Sequence, residues 1–289
     1  MSANAFARWV ALPVGVLCIS TSGVLIRFTA AHPLLTAGAR LVLGSAILLA
    51  AAFALQRHDL RAIDRKRAWL LVAAGAVLGA HFALWTSSLF LTSVASAVLL
   101  VDTHPVLVAL GARAFLGEAT SLGVWAGIAM TLVGSIVIGA GDFQVGGQAL
   151  LGDAMALTAS GTFACYLVIG RRVRQGMGIA AYAGLVYGIG AIVVLALAIG
   201  LAVPLTAFSP DDVKVWMALV AFPTLGGHTV FNWALRHVPA SIVGVSMLAE
   251  PVMTTTMAWI ALGEAPGPTV FVGGAIILSG LYLALRHGA

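Results

Sequence analysis

The 21-residue stretch Leu99 to Ala119, LLVDTHPVLVALGARAFLGEA, is matched without a gap 146 positions later. Pro105–Val106 falls on Pro251–Val252, Ala112 on Ala258, and Leu116, Gly117, Glu118 and Ala119 on Leu262, Gly263, Glu264 and Ala265. The register holds into the next segment, where Val124, Gly127, Ala129 and Gly134 meet Val270, Gly273, Ala275 and Gly280. In both copies a long apolar run carries a proline in its middle and an acidic residue just past its end. A proline inside a helix removes one backbone hydrogen bond and bends it. The same defect at one register in both halves implies two copies of one unit, 1–145 and 146–289, inside a single transmembrane domain spanning 1–289.

The apolar runs decide the class. The chain is 61% hydrophobic and 9% charged, whereas soluble domains carry about 25% charged residues. Ten runs are long enough to cross a bilayer, which takes roughly 20 apolar residues: 9–28, 34–55, 68–89, 93–115, 121–140, 150–170, 178–202, 213–235, 239–261 and 268–285. The reading is an all-α integral membrane protein of ten transmembrane helices. With the N-terminus inside, Arg8, the cluster Arg57, Arg61, Arg65, Lys66 and Arg67, the trio Arg171, Arg172 and Arg174, Arg236 and Arg286 all fall on the cytoplasmic side, eleven of the fifteen basic residues. Only Lys214 and Arg27 fall outside, so the positive-inside rule puts both termini in the cytoplasm. Five spans per copy is an odd number, and the second copy therefore enters the membrane inverted. Inverted repeats give two half-structures that rock about a central site.

The net charge of +5 lies in short turns without aromatic interleaving, and no nucleic-acid partner is expected. Cys18 and Cys165 sit within apolar spans, so no disulfide framework is indicated. The first run is long enough to span and reads as an uncleaved helix, not a signal peptide. Gly123 and Gly127 form a GxxxG that fits packing inside the bundle, and the Gly-rich stretch 140–148 links the halves.

Ten spans, a duplicated five-span unit, Pro33 followed by Arg40 in span 2, and the paired P…LGE segments together resemble the EamA family of the drug/metabolite transporter superfamily, over essentially the whole chain. Within it the sequence is most similar to bacterial exporters of aromatic and other hydrophobic amino acids. The resemblance implies export of small metabolites across the bacterial inner membrane through a central cavity, and leaves nucleosides and drugs open as substrates. No cofactor is expected, and the chain is long enough to form a complete pathway alone in the lipid bilayer, as a monomer or within an oligomer.

Polar groups within spans are costly and usually face protein or a water-filled cavity. His81, Trp85 and Ser88 share one face of span 3 with Thr92, a stripe suited to an aromatic or amphipathic solute, or to interhelical hydrogen bonds. Span 8 repeats the theme with Thr224, His228 and Asn232 spaced by four, and Phe231 corresponding to Trp85. Asn232 donates and accepts, which suits a zwitterion and equally suits structural gluing. Tyr166, on a stripe with Thr158 and Thr162, offers a ring and a hydroxyl. Glu250, with Ser246 and Thr254 on its face, is the carboxylate best placed to bind a cationic group or a proton, unless Arg40 pairs with it. Asp102 and His104 flank Pro105 and, being two apart on a helix, should point in different directions. Arg40 matches a family arginine and reads as a tether or a carboxylate ligand. The prolines Pro105 and Pro251 and the end residues Glu118 and Glu264 are expected to serve either as gates or as structural ties. The rival class is an intramembrane enzyme. Against it, Ser20-Thr21-Ser22-Gly23 and Thr158-Ala159-Ser160-Gly161 both lack the leading glycine of a serine protease motif, and neither an HExxH, a paired-cysteine metal signature nor a P-loop is present. No metal site and no enzymatic activity are expected.

Overall fold

The computed structural model describes residues 2–26, 28–88, 91–92, 94–139, 147–263 and 267–288. These are helical, with no strand among them. In lipid every backbone polar group must be satisfied internally, and a helix does this within one segment. Eight helices are long and apolar enough to cross a membrane. We number the helices α1 (Ala3–Ile26), α2 (Pro33–Leu55), α3 (Arg57–Arg61), α4 (Arg65–Ser88), α5 (Val94–Val101), α6 (His104–Leu116), α7 (Leu122–Gly139), α8 (Gln148–Arg174), α9 (Ile179–Gly200), α10 (Pro210–Leu219), α11 (Thr229–Ala234), α12 (Ala240–Met247), α13 (Glu250–Leu262) and α14 (Pro268–His287). The segment running from α10 through α11 is joined by a π-helical stretch, Val220–His228, that contains Pro223. A second π turn, Ala7–Ala11, lies within α1.

The two repeated prolines do more than bend a helix. In each copy the helix stops and restarts: α5 ends at Val101 and α6 begins at His104 with Pro105 in its first turn, while α12 ends at Met247 and α13 begins at Glu250 with Pro251 in its first turn. Proline fits a first turn because its missing N–H would have had no partner there. Both restarted helices end on a left-handed glycine, Gly117 at φ 70° and Gly263 at φ 74°. This explains the glycine of the LGE motif, since a side chain there would strain the backbone. Glu264 lies outside the described residues, as do Arg27 and most of the inter-repeat linker.

Glycines set the helix pairs. Lipid supplies little hydrophobic drive between helices, so close approach at small residues takes its place. A Cβ on Gly127 would lie 2.5 Å from the Gly280 carbonyl oxygen, and one on Gly134 would lie 2.6 Å from that of Gly273. α7 and α14 are therefore antiparallel, and each glycine meets the repeat equivalent of the other. The same exchange joins α2 to α9: Gly38 packs on Leu195 and Gly184 on Leu49, while Gly44 packs on Tyr187 and Gly190 on Leu41.

The helix ends form two faces. One carries both chain ends together with 55–67, 116–122, 171–178 and 235–240; the other carries 28–33, 91–92 and 201–210.

Candidate functional site

A cavity of about 540 Å³ starts at the two helix breaks and runs to the 28–33 turn. The first half of the chain supplies most of its wall, and the second contributes Phe163, His228, Met247 and Glu250.

Of the side chains singled out in the sequence, His81, Trp85, His228 and Glu250 line this cavity, with Arg40, Asp102 and His104. The helix break corrects the expectation that Asp102 and His104 point apart. Helical spacing does not hold across two non-helical residues, and both reach the same space. Arg40 is 4% exposed. Its Nε donates to Thr224 Oγ1 at 3.1 Å and its Nη1 to Ser22 Oγ at 3.4 Å, while its guanidinium lies 5.0 Å from the Phe82 ring centre, a cation–π contact. Among the described residues no carboxylate forms an ion pair with it. The π stretch places these partners, since Thr224 Oγ1 also donates to the Leu219 carbonyl one wide turn back, at 2.8 Å.

Phe163 and Phe82, which the sequence did not mark as special, organise the floor. The Phe163 ring centre lies 4.6 Å from that of His81, 5.1 Å from His104 and 6.2 Å from His228. His81 Nδ1 contacts the Ala159 carbonyl and His104 Nδ1 the Val101 carbonyl, both at 3.0 Å. A carbonyl accepts, so each Nδ1 carries the proton.

The other singled-out residues lie off the cavity. Tyr166 donates to Asn232 Oδ1 at 2.7 Å, and Asn232 Nδ2 donates to Tyr187 Oη at 3.2 Å; both residues are fully buried. Ser88 donates to the Trp85 carbonyl at 2.8 Å. Phe231 packs on Gly15, where an added Cβ would lie 3.0 Å from its ring. Thr254 Oγ1 donates to the Ser20 carbonyl at 3.1 Å, and Ser246 Oγ to the Ile242 carbonyl at 2.7 Å. Pro105 and Pro251 start their helices and carry no cavity chemistry of their own.

At the cavity mouth, Asp212 holds the 28–33 turn. Its Oδ1 accepts from Thr29 Oγ1 at 2.6 Å and from the Ala30 N–H at 2.9 Å, and its Oδ2 accepts from the Ser209 N–H and Oγ at 2.7 and 2.8 Å. The Thr29 hydroxyl first, then Ser209, hold this carboxyl well below the usual carboxylate range. The only advance sign of it was Ser209-Pro210-Asp211-Asp212, which forms a capping box.

The opposite face is tied by charge. Arg171 Nε meets Glu118 Oε1 at 2.5 Å, Arg171 Nη1 donates to the Leu235 carbonyl at 2.7 Å, and Glu118 Oε2 accepts from the Ala240 N–H at 3.1 Å. Arg174 Nε donates to the Asn232 carbonyl at 2.9 Å, and the Gly178 N–H donates to Asp59 Oδ2 at 2.7 Å. Arg8 reaches the Gly288 carbonyl.

The EamA-like transporter family profile matches twice, over residues 9–140 and 150–286. The chain belongs to the EamA-like transporter family. An uncharacterized transporter of Archaeoglobus fulgidus is 26% identical over 221 residues, 74% of this chain and 75% of that protein. The uncharacterized transporter YdfC of Bacillus subtilis is 26% identical over 187 residues, 64% of this chain and 60% of that one. A solved crystal structure superposes with a TM-score of 0.80 at 23% identity, covering 97% of both chains, a likeness of fold. The EamA-like chain is thus a multi-pass membrane protein and a membrane transporter, and the cavity is its candidate substrate site.

Proposed function

We propose that the protein exports small metabolites, foremost aromatic and other hydrophobic amino acids, across the bacterial inner membrane by alternating access. The observation that carries this reading is the cavity itself. Its floor is made where both proline-started helices begin, its walls carry Trp85, Phe82 and Phe163, and its polar groups are few and converge. The 213–235 and 239–261 stretches complete ten crossings in this reading. The exchanged glycine contacts of α7 with α14 and of α2 with α9 support two halves related by an in-plane two-fold, the arrangement that lets one set of helices adopt two mirrored states.

The face holding both chain ends carries most of the basic residues and is assigned to the cytoplasm. The cavity runs to the opposite face, so the structure is read as outward-open, with the Glu118–Arg171 tie closing the cytoplasmic side. Transport uses no covalent step. A solute enters from the cytoplasm when that tie opens and leaves past the 28–33 turn when it reforms.

Counterflow in proteoliposomes tests this. Internal phenylalanine or tryptophan should drive uptake of labelled phenylalanine, and Trp85→Ala should weaken it. Liposomes that show no counterflow with any amino acid would sink the substrate reading and turn the search to nucleosides and drugs.

A further inference from the structure

Arg40 is the one guanidinium of the cavity lining, and Asp102 and Glu250 are its two carboxyl side chains. Arg40 is engaged by Thr224 and Ser22 through Nε and Nη1 and by the Phe82 face, and its Nη2 is buried with no hydrogen-bond partner among the described residues. Asp102 is 8% exposed, and its Oδ2 is buried with no hydrogen-bond partner. His104, 4% exposed, is committed to the Val101 carbonyl through Nδ1. Buried polar atoms left unpaired are rare and call for a missing partner.

We propose that Asp102 and Glu250 form a receptor for a primary ammonium, so that the cavity selects its substrates by their amine. An R–NH₃⁺ group has three donors and no acceptor, and the helix breaks offer it two carboxyl groups as acceptors, Asp102 through its unpartnered Oδ2 and Glu250. The apolar body of the same molecule lies against Trp85 and Phe163. Arg40, paired on Nε and Nη1, acts as a positioning residue for Thr224 and Phe82. This rests on the cavity being the transport site, and it narrows the substrate class to primary amines with an aromatic or aliphatic body, amino acids among them.

The test is a competition series on the unmodified protein against labelled phenylalanine counterflow, with phenethylamine and 3-phenylpropionate as probes. Phenethylamine should compete within about tenfold of phenylalanine, while 3-phenylpropionate, which lacks the ammonium, should lose more than the roughly tenfold that one charge-assisted hydrogen bond is worth. Competition by 3-phenylpropionate with none by phenethylamine overturns the proposal. Asp102→Asn, checked for an unchanged melting temperature, should weaken both amines by about tenfold or more; equal inhibition in the variant and the parent also overturns it. Tryptophan-fluorescence titration with phenethylamine separates the two readings. Amine binding without amino-acid counterflow refutes the amino-acid exporter and upholds the receptor, whereas counterflow with carboxylate-led competition does the reverse.

Discussion

Glu118 is the residue through which the proposed cytoplasmic closure is most directly weakened. Its carboxylate joins three separate parts of the chain: the turn after α6, which Gly117 creates, the end of α8 through Arg171, and the start of α12 through the Ala240 N–H. The side chains of Glu118 and Arg171 are 20% and 18% exposed, so the pair is shielded well enough to exceed a surface ion pair but not enough to count as fully desolvated. A hydrogen bond to a charged group contributes about 1.5–3 kcal/mol. Glu118→Gln keeps an oxygen for Ala240 and removes the charge facing Arg171, which leaves a loss of about 2 kcal/mol, or roughly 30-fold in the equilibrium between closed and open cytoplasmic sides.

The reading comes from a cysteine placed at Val238, a fully buried position in the turn beside this tie, with Cys18 and Cys165 replaced. In inside-out vesicles, Glu118→Gln should raise the rate of labelling by a membrane-impermeant thiol reagent by about that factor. Arg171→Gln should do the same, and the double variant should add little, because the two residues share one interaction. An unchanged labelling rate, or strictly additive effects, would refute the closure.

Close glycine packing gives a second prediction. Gly134→Ala forces a methyl to 2.6 Å from a backbone oxygen that cannot swing away, whereas Gly161 has nothing within 4 Å of an added Cβ; thermal unfolding in detergent should show the first destabilised by about 1–3 kcal/mol and Gly161→Ala unchanged. Asn232→Leu leaves the buried Tyr166 hydroxyl without its acceptor and should cost about 1–3 kcal/mol, seen as a lower melting temperature with the KM for phenylalanine unchanged. Asp212 is held below the usual carboxylate range, so its contribution is present in full above the unfolded value of about 4 and is lost only as pH falls below that. The melting-temperature gap between the parent and Asp212→Asn should therefore stay constant from neutral pH down to about 4 and narrow below it.

The scaffold was legible because its cues are local. Gly117 and Gly263 stop helices wherever they stand, Pro105 and Pro251 start them, and Gly127 and Gly134 mark where another backbone approaches. The cavity was less legible because it depends on where helical periodicity fails. Counting residues around a continuous helix separated Asp102 from His104, and only the break at 102–103 brings both to one space. The four-residue spacing of Thr224, His228 and Asn232 likewise passes through a π stretch, whose wider turns leave His228 at the cavity and turn Asn232 to Tyr166 and Tyr187. Tyr166 itself shows the limit of residue type as a guide: the ring and hydroxyl that suit a ligand suit a buried network equally well.

The duplication explains why packing could be read from the repeat while chemistry could not. At the glycine contacts the two copies keep the same residue, because backbone approach leaves no room for another. At the cavity they differ. His104 stands where the second copy has Glu250, Trp85 where it has Phe231, and Arg40 where it has Val186, which is fully buried in the core. A symmetric backbone suffices for the two halves to exchange roles between outward and inward states, but a symmetric set of cavity side chains would present two identical half-sites and fit no single amine with one apolar end. The proposed acceptors therefore gather from both breaks, Asp102 from one and Glu250 from the other. In the proposed alternating access, moving either half relative to its mate alters the site as it alters the access, which would couple occupancy of the cavity to the state of the Glu118–Arg171 tie.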